Sequence, residues 1–564
     1  MISNKIKKLR KKFKQFNIDG YIVPKNDEFF SEYAANDRLK NITNFTGSAG
    51  MAIILKKSNY LFVDGRYTIQ AKNESGKNFK IIEIHKKLPH KIIKNQNLGY
   101  DPNLFTSKKL INHFLNNKLI PINKNLIDDM FKKRIKKNKP FFSLNKNIVG
   151  ESHTSKIKKI KSYLKLNKAD YLFVSAPENV AWVLNIRGYD NPTSPIPNSR
   201  LIISKNNKIF LIAKKQNCQK IIQEKRVKKD EIIEFKNFNY FIESLKGKNF
   251  IIDNNSCSIF YEKIISSKFH ILNKKDPIYK LKSIKNPQEI KHMIVAHKKD
   301  GLALTKFIYW IKNINKKQIT EVDAQNKLEK FRKLDIDYLY PSFNTIAGTG
   351  SNGAIVHYRA TKQSTKKINQ NDIFLCDSGG QYRYGTTDVT RTISFSNQKQ
   401  FIKDTFTKVL KGHIAVALTN LNIDSSGDKI DIRARKYLKK DGLDYAHGTG
   451  HGVGFFLNVH EGPQSISKYN TIKIEKGMIL SNEPGYYKKN HFGIRIENLI
   501  YTKQLKNKLY FQNLTLAPME KNLINYKLLN KIEKDYLFKY HLNIYSEYSA
   551  SLNKKERKWL ASLI

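Results

Sequence analysis

Residues 376–392 read CDSGGQYRYGTTDVTRT and contain two aspartates, Asp377 and Asp388, that lie eleven positions apart. Asp377 follows the apolar run Ile373–Cys376, which has the composition of a short buried strand. The Gly-Gly pair that follows permits a turn, and the Thr-rich run after Asp388 has the composition of a second strand. Two neighbouring strands of this kind present both carboxylates to one side of a sheet.

Four further segments around this pair carry acidic or His residues, and each is predicted to lie at the end of a strand or within one. They are NGAIVHYR (352–359) with His357, HGTGHGVGFFLNVHEGP (447–463) with His447, His451 and His460, SNEPGYY (481–487) with Glu483, and FGIRIEN (492–498) with Arg495 and Glu497. In FGIRIEN, an alternation of period two predicts Arg495 and Glu497 on one face. A turn, a solvent-facing Glu or a hydrogen-bonded His explains each segment alone, but their concentration between residues 357 and 497 favours one shared site.

Four of these residues, Asp377, Asp388, Glu483 and Glu497, would place four carboxylates in one core. A carboxylate that is ionised and buried alone is unstable, and like charges raise one another's pKa. Two divalent cations compensate that charge, and carboxylate oxygens with one imidazole suit Mn²⁺ or Co²⁺, with Zn²⁺ or Fe²⁺ as substitutes. A hydroxide that bridges two metal ions can attack a carbonyl, while additional His side chains stabilise the oxyanion and transfer protons. The segments therefore predict a dinuclear metal hydrolase.

An internal repeat precedes this region. Residues 5–23 (KIKKLRKKFKQFNIDGYIV) and 156–174 (KIKKIKSYLKLNKADYLFV) align without a gap, and both predict a basic amphipathic helix that leads into a short apolar strand. Further strand-like runs follow each copy. Chance similarity between Lys-rich helices is the alternative, but the matching strands favour duplication. The repeat predicts two related α/β domains, 1–148 and 149–276.

A third domain is predicted over 277–505 and a separate terminal segment over 506–564. Helix signals lie at Asn286–Glu289, where Asn, Pro and Glu occupy N-cap, first-turn and capping-box positions, and at Thr320. The first helix is predicted to run toward Asn313, and later helices over Asp404–Ala417 and Asp428–Lys440. Gly-rich turns and short strands between them predict a curved antiparallel sheet in an α+β arrangement. The aromatic terminal segment has helix-like spacing and is predicted to serve packing or self-association.

The formal net charge is +55, from 103 Lys and Arg against 48 Asp and Glu. Such a charge favours nucleic acid or an anionic membrane as a partner. However, the excess is mainly Lys, is spread over the whole chain, and lacks the Arg enrichment expected for phosphate contacts. We therefore interpret it as a solvated basic surface and expect no nucleic-acid partner.

The remaining composition indicates a protein of the cytoplasm. Cys218, Cys257 and Cys376 are widely spaced and form no CxxC pair, which suits a reducing compartment without disulfides. No apolar run approaches the length of a membrane span, and the basic N-terminus lacks the apolar core of a signal peptide. A mitochondrial presequence is the weaker alternative, because the N-terminal helix is predicted to belong to the first domain.

The motifs DSGGQY, GTTDVTRT, HGTGHGVG, LNVHEGP, EPGYY and GIRIEN resemble those of the pita-bread metallopeptidases, and within them the long, three-domain cytosolic type of aminopeptidase P. The segment Phe45–Gly50 (FTGSAG) also resembles a creatinase-like N-terminal domain, and the tail from Leu509 resembles the family's C-terminal extension. The resemblance implies two creatinase-like α/β domains followed by a pita-bread catalytic domain. It covers nearly the whole chain.

The resemblance also implies a role for each residue of the site. The positions that match metal ligands are Asp377, Asp388, His451, Glu483 and Glu497, of which Asp388 and Glu497 match the bridging pair. Glu483 further matches the proton shuttle, Arg495 matches a partner of the carboxylates, and three positions match catalytic and substrate-binding histidines: His357, His447 and His460.

By the same resemblance, the expected activity is release of an N-terminal residue that precedes Pro, by a homodimer that prefers Mn²⁺. Peptides with Pro in second position are the expected partners. A prolidase-type dipeptidase or another aminopeptidase of the same fold is the nearest alternative. A relative that has lost catalysis should lack metal ligands, and none is missing here.

Overall fold

The computed structural model describes residues 2–34, 36–131, 139–316 and 319–564. The chain divides into two compact units, Met1–Tyr279 and Lys280–Ile564. The first unit contains two six-stranded sheets, and the second contains the five segments with acidic and His residues. The fold class is the predicted α+β, whereas the boundaries of the four segments proposed from the sequence stay a prediction.

The first unit has two halves, each built around one sheet. The first half contains α1 (Ile2–Lys11), β1 (Gly20–Pro24), α2 (Arg38–Thr43), β2 (Met51–Leu55), β3 (Asn59–Val63), α3 (Thr68–Ser75), β4 (Lys80–Glu83), β5 (Asn97–Tyr100), α4 (Ser107–His113) and β6 (Lys118–Pro121). The second half contains β7 (Phe142–Ser143), α5 (Lys146–Val149), α6 (His153–Leu166), β8 (Tyr171–Val174), α7 (Pro177–Leu184), β9 (Ile186–Arg187), β10 (Arg200–Ser204), β11 (Ile209–Ile212), α8 (Gln219–Gln223), β12 (Ile232–Ile233), α9 (Phe238–Ser244), β13 (Asn249–Ile252), α10 (Ile259–Ser266) and β14 (His270–Asn273). The helix α11 (Ile278–Ser283) follows.

The two large sheets share one topology. Their strand orders are β4-β3-β2-β1-β5-β6 and β12-β11-β10-β8-β13-β14. In both, the first strand after the long helix pairs antiparallel with the following hairpin on one side and parallel with a later strand on the other. The sequence repeat therefore corresponds to a structural repeat.

The aspartate that ends each repeated helix region makes the same contacts in both halves. The backbone N–H of Asn97 donates to the carboxylate of Asp19, which also pairs with Lys56. The backbone N–H of Asn249 donates to the carboxylate of Asp170, which pairs with Lys205. Each carboxylate thus joins a central strand to its parallel neighbour and to the hairpin, which explains why the aspartate recurs at the same position.

The second unit contains the remaining helices and strands. They are α12 (Pro287–Asn313), α13 (Glu321–Arg332), β15 (Tyr338–Pro341), β16 (Ile346–Thr349), β17 (Ile373–Ser378), β18 (Gly380–Tyr382), β19 (Gly385–Thr386), β20 (Val389–Ser394), α14 (Gln400–Ala417), α15 (Gly427–Lys439), β21 (Gly450–Gly452), β22 (Glu461–Ile466), β23 (Ile479–Asn482), β24 (Gly485–Lys488), β25 (Phe492–Arg495), β26 (Asn498–Leu505), β27 (Lys508–Asn513), α16 (Lys531–Tyr548) and α17 (Lys554–Ala561).

The helix boundaries of this unit follow the predicted caps. The side chain of Asn286 caps α12, and the side chain of Glu289 accepts a hydrogen bond from the backbone N–H of Asn286. The predicted capping box is therefore present. Thr320 and Asp323 form the same arrangement at the start of α13. These local hydrogen bonds satisfy the backbone N–H groups that a helix end leaves without partners.

All strand pairs between named strands in the described part of the second unit are antiparallel, as predicted, but they form four small sheets instead of one. The register shifts between Tyr338 and Tyr340 and again between His451 and Gly452. Irregular pairing of this kind bends a strand and interrupts a continuous ladder. The expectation of one continuous curved sheet was therefore wrong in this detail.

The terminal segment packs within the second unit. Side chains of α16 and α17, among them Leu537, Ile544 and Leu560, belong to the same buried cluster as Val409 of α14 and Ile494 of β25. The predicted packing role is thus observed. Among the residues that the structure describes, no helix is both long and apolar enough to span a membrane. All three cysteines, Cys218, Cys257 and Cys376, are buried and free.

We predict that Asp19→Ala and Asp170→Ala each lower the free energy of unfolding by about 1 kcal/mol, because each removes a carboxylate that accepts a backbone N–H. Calorimetry should show a melting temperature that is about 2–4 °C lower. A hydrogen bond from Lys56 lowers the pKa of Asp19, and bonds from Lys205 and from backbone N–H groups overcome burial to lower the pKa of Asp170.

A carboxyl whose pKa is lower in the folded state contributes stability above its unfolded pKa of about 3.9, and loses it as the pH falls through the folded value. The difference between wild type and either variant should therefore shrink below about pH 4. The exposed Asp230 provides the control, and Asp230→Ala should melt like wild type. Wild-type melting of both test variants at pH 7 would contradict the assignment.

Candidate metal centre

The two aspartates from which the site was predicted lie at neighbouring strands, Asp377 within β17 and Asp388 directly before β20. In the antiparallel pair β17–β20, Asp377 lies opposite Thr390. Asp388 lies two positions before Thr390, which puts its side chain on the same face as that of Asp377. Both aspartates are buried, with 8% and 4% of their surface exposed. The pairing of two strands is therefore what brings these carboxylates together.

His451 and Glu483 approach Asp388 from a second sheet. His451 lies in β21, and its Nδ1 is 2.9 Å from the carbonyl oxygen of Gly452. An N–H at Nδ1 that donates to this carbonyl leaves the lone pair on Nε2, which lies 3.4 Å from Asp388 Oδ2 and 3.4 Å from Glu483 Oε1. Ser481 Oγ accepts from the backbone N–H of His451 and donates to Glu483 Oε1 at 3.0 Å. These bonds fix both side chains toward Asp388.

Glu497 and Arg495 complete the arrangement from the end of β25. The strand predicted through Glu497 is interrupted, because β25 ends at Arg495 and β26 begins at Asn498. Even so, both side chains contact Thr390, whose hydroxyl donates to Glu497 Oε2 at 2.8 Å and accepts from Arg495 Nε at 3.1 Å. The guanidinium of Arg495 also donates to Asp377 Oδ2 at 2.6 Å.

The electrostatics of the site require additional positive charge. Burial, followed by repulsion from Asp377 and Glu483, raises the pKa of Asp388 well above its usual range. Burial and repulsion from Asp388 and Glu483 do the same to the pKa of Glu497. Burial alone would lower the pKa of Arg495, but the surrounding acidic groups, Asp377 and Glu483 among them, raise it. One guanidinium cannot balance four carboxylates.

A divalent cation fits this donor set. Ligand atoms of Asp388, His451 and Glu497 lie within 4.8 Å of one another. Asp377 Oδ1 is buried without a hydrogen-bond partner, which is costly for a carboxylate oxygen. Hard oxygen donors with a single imidazole suit divalent ions of the Mn²⁺ and Co²⁺ type. The residues present therefore match a metal centre on chemical grounds.

The three predicted catalytic histidines lie in different surroundings. The rings of His460 and His451 meet edge to face, with centroids 4.2 Å apart. His447 lies in a loop before β21 and is partly exposed. His357 was predicted at the end of a strand, and this was wrong. The run Ala354–Val356 forms a turn, since Ala354 and Ile355 are held by backbone hydrogen bonds to residues 351 and 352.

Tyr487 connects His447 to the carboxylates. The sequence assigned no role to Tyr487. His447 Nε2 lies 2.9 Å from Tyr487 Oη, which accepts from the Arg495 guanidinium at 2.6 Å. Since Arg495 also binds Asp377, a continuous chain of hydrogen bonds runs from His447 to a carboxylate of the site. Burial raises the pKa of Tyr487 to about 12. The second Tyr of EPGYY was the only sequence signal for this residue.

Close backbone approach explains the glycines around His451. A Cβ at Gly450 would lie 2.0 Å from the carbonyl oxygen of Ser481, which is far inside van der Waals contact. Because β21 and β23 approach this closely, Ser481 can reach the backbone of His451. Only glycine fits at position 450, because the two strands approach so closely there.

Four carboxylates and an imidazole on antiparallel strands define a metallohydrolase type of centre, and comparison with known proteins agrees. The family model described as "Metallopeptidase family M24" matches residues 291–504, and the one described as "C-terminal region of peptidase_M24" matches 507–563. Two models described as "Creatinase/Prolidase N-terminal domain" match residues 5–130 and 132–289.

Individual relatives match over the whole length. The chain is 36% identical to "Xaa-Pro aminopeptidase 1" of Dictyostelium discoideum, over 100% of this chain and 96% of that protein. It is 35% identical to "Probable Xaa-Pro aminopeptidase P" of Laccaria bicolor, over 99% of this chain and 92% of that protein. The chain therefore belongs to metallopeptidase family M24, in the group of the aminopeptidase P proteins.

Solved structures match this chain to different extents. An X-prolyl aminopeptidase from Caenorhabditis elegans, described as a cytosolic enzyme with a di-nuclear active site, matches with a TM-score of 0.91 and 28% identity over 100% of this chain and 99% of that one. A prolidase from Pyrococcus horikoshii matches with a TM-score of 0.52 and 25% identity, over 65% of this chain and 99% of its own.

We predict that Tyr487→Phe lowers kcat/KM or metal affinity by about 10-fold or more, because it removes the hydroxyl that joins His447 to Arg495. Metal titration and steady-state kinetics measure the two quantities. The neighbouring Tyr486 packs against Phe492, with ring centroids 6.2 Å apart, and Tyr486→Phe is the matched control. Equal effects of the two substitutions, or no effect of either, would refute a role for the hydroxyl.

Proposed function

We infer that the protein is a metalloaminopeptidase that hydrolyses the peptide bond between an N-terminal residue and Pro. The observation that carries this inference is the match over the full length of both chains to an X-prolyl aminopeptidase with a di-nuclear active site. The relatives from Laccaria bicolor, Dictyostelium discoideum and Arabidopsis thaliana, which match over nearly the whole chain and are described as aminopeptidases, agree with it and favour an aminopeptidase over a dipeptidase.

Within this activity we propose that the metal ions are held by five side chains: Asp377, Asp388, His451, Glu483 and Glu497. Asp388 and Glu497 would be the bridging pair, which agrees with their burial and with the raised pKa of each. When bound, two divalent ions lower the pKa of water and polarise a carbonyl group. Asp377 would offer Oδ1, which has no hydrogen-bond partner, while Arg495 holds Oδ2.

The other roles concern protons and charge. Glu483 is more accessible than the fully buried Glu497, with 18% of its side chain exposed, and we propose that its carboxylate accepts a proton and releases it toward the departing amine. We propose His357, His447 and His460 as the groups that bind the substrate and stabilise the developing oxyanion. Arg495 orients Asp377 through a hydrogen bond to Oδ2, and Tyr487 Oη accepts a hydrogen bond from Arg495 in turn.

Several finer properties are proposals of the same kind. We propose Mn²⁺ as the metal, a homodimer as the assembly and the cytoplasm as the location, and peptides with Pro in second position as the partners. The carboxylate-rich donor set supports Mn²⁺. The location is supported by the C. elegans enzyme, which is described as cytosolic. The net charge of +55 is proposed to be solvated surface without a nucleic-acid partner.

We predict that Glu483→Gln leaves a folded protein with turnover reduced at least about 100-fold, because an amide cannot accept the proton. Wild type should contain about two ions per chain when analysed by mass spectrometry of the metals. Circular dichroism melting provides the control for folding. Turnover close to wild type in Glu483→Gln, or a fully active protein without metal, would contradict the proposed chemistry.

A comparison of three substrates tests the specificity. We expect cleavage of Xaa-Pro-Yaa tripeptides, little cleavage of Xaa-Pro dipeptides, and little cleavage of Met-Ala peptides, because the full-length relatives are aminopeptidases that act before Pro. The kcat/KM values of the three substrates give the measurement. Turnover of the dipeptides alone would establish a prolidase instead.

A further inference from the structure

Glu321, in the first turn of α13, is a buried carboxylate for which the proposed chemistry has no use. Its surface exposure is 0%. Oε1 accepts from the backbone N–H of Thr349 at 2.8 Å, and Asn352 Nδ2 donates to both oxygens, at 3.0 and 3.1 Å. Oε2 also accepts from Tyr358 Oη and from the backbone N–H of Lys366, both at 2.9 Å. A buried charge with this many donors is satisfied by hydrogen bonds alone.

All these donors come from one stretch of chain. Thr349 ends β16, and the others belong to residues 350–366, which we name the His357 loop. The loop returns to α13, because the backbone N–H of Glu321 donates to the carbonyl of Lys366. Glu321 therefore holds the beginning, the middle and the end of this loop at one point. Tyr358, which contacts Glu321, is the immediate neighbour of His357.

The opposite side of the same loop rests on the metal centre. The carbonyl oxygen of Val356 lies 3.4 Å from the Arg495 guanidinium. In β25, a Cβ at Gly493 would lie 1.8 Å from the carbonyl oxygen of Gly353, so the loop backbone lies directly on this strand. His357 thus lies between two anchors, Val356 against Arg495 and Tyr358 against Glu321.

We propose that Glu321 is a positioning residue, which fixes the His357 loop so that His357 is directed toward the substrate. The proposal rests on the proposed function, because it takes from it the role of His357 in binding substrate. Glu321 contacts neither substrate nor metal in this assignment. It acts through the loop alone, and its effect should vanish when His357 is absent.

The carboxylate, and not merely its volume, performs this role. A Gln side chain has nearly the same shape, but its NH₂ group replaces one oxygen that accepts hydrogen bonds. The NH₂ group would then face another donor, either the backbone N–H of Lys366 or the side-chain amide of Asn352. At least one loop contact must then open. The N-terminal end of α13 further favours a negative charge at this position, which Gln does not carry.

A double-mutant cycle tests the proposal on the full-length, metal-loaded protein. We expect Glu321→Gln to lower kcat/KM for an Xaa-Pro tripeptide by about 10- to 100-fold, as small displacements of a binding group do. In a His357→Ala background the same substitution should change kcat/KM by less than about twofold. Tyr358→Phe, which removes one donor to Glu321 and keeps the ring, should show a smaller loss with the same dependence on His357.

Glu533→Gln is the matched control. Glu533 also lies in the first turn of a helix, is 4% exposed, and accepts hydrogen bonds from Lys411 and Asn530, but it contacts no residue of the His357 loop in the described structure. It should leave kcat/KM unchanged. Metal content should stay at the wild-type value in all single variants, because none of them alters a proposed ligand.

The outcomes separate this proposal from the proposed function. If Glu321→Gln lowers kcat/KM by the same factor in the presence and in the absence of His357, Glu321 only stabilises the fold and the proposal is wrong. An active Glu321→Gln protein with unchanged kcat/KM would also overturn the proposal. If wild type fails to cleave Xaa-Pro peptides, the proposed function fails instead. Tryptic cleavage at the exposed Arg359 and Lys362 then tests the loop directly. Cleavage must be faster in Glu321→Gln than in Glu533→Gln, and equal rates would overturn the proposal.

Discussion

The structure of the second unit depends on one constraint, which is that four carboxylates lie close together in a core that excludes most water. Such a cluster is stable only if each oxygen has a donor or a cation. The surrounding elements meet this demand one by one. Thr390 supplies a hydroxyl to Glu497, Ser481 supplies one to Glu483, and Arg495 supplies a guanidinium to Asp377. What these donors leave unmet, such as the need of Asp377 Oδ1 for a partner, is what a divalent metal would satisfy.

The supporting contacts extend the site outward in two directions. Through Arg495 and Tyr487 the carboxylates are connected to His447, and through the carbonyl of Val356 they are connected to the loop that carries His357. The groups proposed to bind substrate are therefore attached to the groups proposed to bind metal. Geometry on one side cannot change without consequences on the other, which is the usual requirement for a hydrolytic centre that must place a carbonyl accurately.

Local patterns predicted much of this from the sequence. Capping residues located α12 and α13, the repeat anticipated two sheets of identical topology, and the segments rich in acid and His contained the residues that converge. The failures share a cause. The apolar run before His357 has the composition of a strand but forms a turn, because tertiary contacts decide its conformation. Glu321 looked like an ordinary first-turn acid, and Tyr487 like one aromatic among many. Only contacts with residues distant in sequence reveal what these two side chains do.

The antiparallel pairing of β17 with β20 has a consequence for how this chain can change over generations. Asp377 and Asp388 share a face only because of the register that sets Asp377 opposite Thr390. The segment between them is not a free turn, because it contains β18 and β19, and β18 also pairs with β15. A single deletion within either strand would turn one carboxylate toward the opposite face. Deletions in these strands would therefore remove a donor from the site at once and would not weaken the site gradually.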